Sequence, residues 1–156
     1  MRYVFALLAV LFVLGPAQAQ TIEPREGWTV MATDKPYQQL IDDVIAATKA
    51  NKMGVVTQAG PTGAAANRGI TIPGNRVIGI FNNDFAVKIL GLSTAAMIEA
   101  PIRMYVTEAD DGTATLAFKR PSFVFAPYME EGGDALRDLA SQLDARFDAI
   151  AAMAVN

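Results

Sequence analysis

Apolar residues recur at helical spacing in two stretches of this chain and alternate with polar ones in two others, and this contrast lays out the fold. In the first helical stretch Tyr37, Leu40, Ile41, Val44 and Ile45 share one face, while Gln38, Gln39, Asp42 and Asp43 fall on the other. Thr33 and Asp34, just ahead of Pro36, read as its capping residues, and Asn51, Lys52 and Gly54 as its stop. Towards the C-terminus Leu136, Leu139, Leu143, Phe147 and Ile150 form a second stripe, turned to the core or to a partner. The alternating stretches are Ile102, Met104, Val106 and Ala114, Leu116, Phe118, the pattern of half-buried antiparallel strands. Between them Asp110-Asp111-Gly112 supplies the left-handed backbone position of a tight hairpin.

Shorter signals complete the outline. Residues 28–32 read as a first strand, 54–58 as a second and 76–81 as a third, the last entered through Gly74-Asn75. Residues 62–68 suit a short alanine-rich helix closed by Gly69. Asn82, Asn83 and Asp84 lead into Phe85, Val87, Ile89 and Leu90 as a capped short helix. The expected fold is α+β, a single domain with a mainly antiparallel sheet and amphipathic helices packed on it. It runs from residue 28 to residue 156, and the whole length of 156 residues suits one sizeable core.

The N-terminus carries an address. Arg2 precedes an apolar run that ends before Gly15 and Pro16, and Ala17-Gln18-Ala19 has the small-x-small form of a cleavage site. The run holds about a dozen apolar residues where a spanning helix needs about twenty. Residues 1–19 are therefore expected to be a signal peptide cleaved after Ala19, leaving 20–27 as a polar tether and no stable membrane anchor. A periplasmic or secreted location follows.

Composition removes whole classes of chemistry. The chain has no cysteine and no histidine, so disulfides, thiolate nucleophiles, imidazole bases and Cys/His zinc sites are excluded. Its net charge of −3 offers no basic face on the scale that nucleic acid requires. No cofactor is expected. The dispersed methionines fill core space. Gly60-Pro61-Thr62-Gly63 lacks the Gly-Lys-Ser/Thr ending of a phosphate-binding loop and reads as a turn. Asp110 and Asp111 likewise lack the further oxygen ligands of a calcium site.

The middle of the chain resembles the DUF302 family, small bacterial domains of unknown function with a TT1751-like fold. The resemblance rests on Gly54-Val55-Val56-Thr57 before the turn ending in Gly69, on the strand 76–81 followed by Asn82-Asn83, on Ala100-Pro101-Ile102-Arg103, and on Lys119-Arg120-Pro121-Ser122-Phe123. It implies an α+β domain, often a dimer, with no assigned activity. Family members usually carry Gly-Asn-Pro after the third strand, where this chain has Asn82-Asn83-Asp84, and often a histidine in the segment matching 60–63, where it has none.

Two functional readings remain. In the first, the exported domain is non-catalytic and binds either a protein partner of the cell envelope or a small anionic or polar ligand, whose site Asn82, Asn83, Asp84 and Arg103 border, with Arg103 giving paired donors and Asn82 fixing orientation. Asp84 with Lys88 and Glu99 with Arg103 would share one cleft. The simpler view of the same residues is a helix cap, a surface pair and a solvated arginine. In the second, Asp84 and Glu99 act as acid and base of an extracytoplasmic hydrolase. A serine nucleophile would need Lys88 or Lys119 as its base. A homodimer is also expected, since short strands leave sheet edges to protect.

Overall fold

The computed structural model describes residues 22–156, so the expected signal peptide lies outside the described residues. The chain runs β1 (Trp28–Pro36), α1 (Tyr37–Ala50), β2 (Gly54–Ala59), α2 (Thr62–Ala66), β3 (Asn75–Phe81), α3 (Asn83–Leu92), β4 (Ile102–Glu108), β5 (Thr113–Lys119), α4 (Pro121–Phe125) and α5 (Met129–Val155). Short 3-10 turns at Ala95–Glu99 and Ala126–Tyr128 join α3 to β4 and α4 to α5. The strands make one antiparallel sheet in the order β1-β5-β4-β3-β2. This is the expected α+β architecture.

One face of the sheet carries the core. Ile78 and Ile80 of β3, Ile102, Met104 and Val106 of β4, and Ala114, Leu116 and Phe118 of β5 are all buried, as strict alternation demands. Helices α1 and α5 close over them. Leu40, Ile41 and Val44 of α1 and Leu136, Leu143, Phe147 and Ile150 of α5 are at most 3% exposed, so the C-terminal stripe faces the core. Phe147 meets Phe118 at 5.6 Å between ring centroids, tying α5 to β5. Arg120 grips α5 through both Asp148 oxygens, at 3.0 and 3.1 Å, with Asp144 at 3.3 Å.

Local details depart from the sequence pattern in three places. Thr33 and Asp34 do not cap α1, because β1 continues through them to Pro36, and the Thr33 hydroxyl donates across the sheet to the Ala114 carbonyl at 2.7 Å. At the end of α1 the left-handed position falls on Lys52 (φ 57°), not on Gly54. The last helix is also bent near its start, where Gly133 takes φ 57°.

Both edge strands are irregular. The register of β1 against β5 shifts between Ala32 and Pro36, and that of β2 against β3 shifts between Val55 and Thr57. Such irregularities, with Lys35 and Pro36 on β1, discourage pairing with a further strand.

Candidate functional site

Because side chains alternate across a strand, the residues between the core positions project from the sheet's other face, away from α1 and α5. Register places them in rows that cross the strands. One row reads Val30, Ala117, Tyr105, Val77 and Ala59 from β1 to β2, and it is apolar apart from the tyrosine hydroxyl. Beside it, Trp28 pairs with Lys119 on the β1 side of the sheet and Arg103 with Gly79, and Gly79 with Thr57, on the β2 side, with Lys119 and Arg103 next in sequence to the paired Phe118 and Met104. The two rows lie about 7 Å apart, two residues along each strand.

Ala59, Val77, Tyr105 and Ala117 of the first row and Trp28, Arg103 and Lys119 of the second line a hollow of about 730 Å³, which also reaches Ile102 and Phe118 and falls within the range of about 300–1,000 Å³ usual for small-molecule sites. Gly60 and Pro61 stand at its β2 end, and Val124 of α4 and Glu99 contribute to its rim. Next to the hollow, the missing side chain of Gly79 lets Thr57 and Pro101 pack together where β2, β3 and the Ala100-Pro101 turn meet. A Cβ there would lie 2.1 Å from Thr57 Oγ1 and 2.9 Å from Pro101 Cγ.

The charges of the hollow are unequal. Arg103 and Lys119 are both exposed, and the guanidinium of Arg25 sits 5.2 Å from the centre of the Trp28 ring, with Lys119 Nζ at 5.7 Å. Both cations thus lie within reach of the electron-rich face of that ring. The acid, Glu99, is engaged: its Oε1 accepts the Tyr128 hydroxyl at 2.8 Å. That bond to a carboxylate, ahead of burial, raises the Tyr128 pKa above its ordinary value.

The four residues singled out by sequence do not share one cavity. Strands β3 and β4 are neighbours, as the reasoning required, and Arg103 lines the sheet-face hollow. Asn82, by contrast, is the N-cap of α3: its Oδ1 accepts from the amides of Asp84 and Phe85 at 2.9 and 3.2 Å, and its Nδ2 donates to the Lys52 carbonyl at 2.9 Å. Its amide is spent on structure. Asp84 and Lys88 line a smaller hollow of about 210 Å³ together with Asn82, Lys52 and Arg146. Asn83 is exposed in the first turn of α3. The single cleft holding Asp84, Lys88, Glu99 and Arg103 is therefore two hollows, because Glu99 lines the one with Arg103 and Asp84 the other.

Sequence reasoning missed Trp28, Tyr105 and Val77 as site residues, and took Lys119 only as a possible base. The signal for Tyr105 and Lys119 was present in the alternation itself, which put them opposite the core. Trp28 needed the β1–β5 register. Among the described residues no group of three or more acidic side chains is arranged to hold a metal ion, and no helix is long and apolar enough to cross a membrane.

A family model described as "Domain of unknown function DUF302" matches residues 28–154. No curated protein matches the chain. Among solved structures, the crystal structure of an uncharacterized conserved protein DUF302 from Bacillus stearothermophilus is similar, with a TM-score of 0.73 at 15% identity, covering 85% of this chain and 100% of that one. At that identity the likeness speaks for the fold alone.

Proposed function

This chain belongs to the DUF302 family, and from that premise we propose that it is an exported, non-catalytic binding domain whose small ligand lies on the face of the sheet turned away from α1 and α5. The observation that carries this reading is the 730 Å³ hollow there, with its aromatic and cationic floor. Export rests on the sequence of residues 1–19. The hydrolase reading is less well supported, since Asp84 and Glu99 line different hollows and Glu99 is already bonded to Tyr128.

Mass spectrometry under non-denaturing conditions, on protein recovered from outside the cytoplasm, tests both parts. The chain should begin at Gln20 and carry an additional small mass, and Val77→Phe, which fills the floor, should lose that mass. Bare protein whose melting temperature answers to no small molecule would refute ligand binding. Retention of residues 1–19 in the membrane fraction would refute cleavage. Turnover on a hydrolase panel, abolished by Asp84→Asn, would favour the rival.

A second reading is self-association, supported by exposed apolar side chains on α3 and on the 3-10 turn that follows it. Val87 and Leu90 of α3 are 61% and 48% exposed, and Ile98 in the following 3-10 turn is 79% exposed. Residues three apart on a helix share a face. Light scattering over a concentration series should give a dimer that Val87→Glu with Ile98→Glu converts to monomer; a wild-type monomer throughout would end this reading.

A further inference from the structure

We infer that the ligand of the sheet-face hollow is an amphipathic acid: an apolar body with one anionic head. This rests on the binding reading above and specifies its chemistry. The inference comes from the juxtaposition of the two rows. Tyr105, Val77 and Ala59 form an apolar strip across three strands, about 10 Å long at the usual strand spacing, that runs up to the fully buried Ala117 of β5. Alongside it, one pleat away, Lys119 and Arg103 stand on adjacent strands.

Both cations line the same hollow, so each disfavours the other there. Neither has an acidic partner within ion-pair distance among the described residues, although other cations of this chain, Lys35, Arg120 and Arg137, do. On its other side Arg103 pairs with Gly79, whose place above the sheet is taken by the Thr57 hydroxyl and the Pro101 ring. A carboxylate, sulfonate or phosphate monoester seated between the two would relieve their repulsion, and Arg103 would bind it with two parallel donors.

The body of the ligand is then directed sideways onto the strip. A neutral apolar molecule would cover the strip but leave the two cations as they are. A small inorganic anion would meet the cations but leave the strip wet. An amphipathic acid satisfies both, with its body bounded by Trp28 at one end and the Gly60-Pro61 turn at the other.

The chain's sole tryptophan, Trp28, stands in the cationic row and gives a local readout. The test titrates the protein with anilinonaphthalene sulfonate and, separately, with N-phenylnaphthylamine, the same hydrocarbon body without the sulfonate, following quenching of Trp28 emission. Both should quench it in the wild type. Arg103→Gln combined with Lys119→Gln should weaken the sulfonate about tenfold or more while moving the neutral probe less than twofold, and Arg103→Lys should give an intermediate loss. Circular dichroism and the urea midpoint check that these exposed sites leave the fold intact. If both probes bind and the double variant affects neither, the acidic head is refuted and the binding hollow stands. If neither probe quenches Trp28 in the wild type, the hollow itself is not a binding site and both inferences fall.

Discussion

Replacing Gly79 by alanine adds one methyl group to the middle of β3, and the surroundings determine what that costs. The new Cβ would lie 2.1 Å from Thr57 Oγ1, 2.9 Å from Pro101 Cγ and 3.3 Å from Pro101 Cβ, the first two below any distance real Cβ atoms show. Thr57 can rotate its hydroxyl away about χ1, but the Pro101 ring has no such freedom, so β3 or the Ala100-Pro101 turn must shift. Overpacking of this kind costs about 1–3 kcal/mol, against which alanine regains up to about 1 kcal/mol of the chain entropy that glycine loses on folding. A net loss of about 1–2 kcal/mol is expected. With a urea m-value of about 2 kcal/mol/M, the midpoint should fall by roughly 0.5–1 M at unchanged slope. Thr57→Ala in the Gly79→Ala background should restore part of the loss. A Gly79→Ala protein as stable as wild type would refute this packing, as would a double variant whose losses simply add.

Three further outcomes follow from local geometry. Asp43 accepts from Lys35 Nζ at 2.8 Å, and that bond, ahead of any other cause, holds its pKa below the ordinary value. A lowered folded-state pKa gives stability that is complete above the unfolded value of about 3.9 and is lost as pH falls through the folded one, so Asp43→Asn should flatten the decline of the urea midpoint between about pH 5 and pH 3. Lys52 occupies the left-handed region, and Lys52→Gly should raise stability by about 0.5–1 kcal/mol in the same denaturation assay. Tyr128 should ionise above the usual tyrosine range in an ultraviolet titration, and Glu99→Gln should bring it down; an unmoved titration would refute the Tyr128–Glu99 bond.

Elements governed by periodicity were legible in the sequence. Ile102 to Phe118 alternate and form the β4–β5 hairpin, with Gly112 at φ 83° as the turn requires, and the α1 and α5 stripes are buried where the spacing put them. Thr33 and Asp34 misled because capping residues are also tolerated in an edge strand, and the cross-sheet bond of Thr33 to Ala114 is not a local signal. The site was legible only one residue at a time. Asn82 directly follows β3 and Arg103 lies on its neighbour β4, yet capping turns Asn82 inward to α3 while the pleat turns Arg103 to the open face. The pairing of Trp28 with Lys119 joins residues nearly a hundred positions apart, which no spacing along the chain encodes.

The most direct measurement is a nitrogen-15 correlation spectrum of the protein titrated with anilinonaphthalene sulfonate. A ligand on the sheet face turned away from α1 and α5 should shift the Trp28 indole N–H and the amides of Val77, Arg103, Tyr105 and Ala117 together, with one binding curve, and leave Asn82, Asp84 and Lys88 unmoved. Shifts confined to Lys52, Asn82, Lys88 and Arg146, or to the apolar patch of Val87, Leu90 and Ile98 with the Trp28 signal unchanged, would contradict the assignment of the ligand to this face.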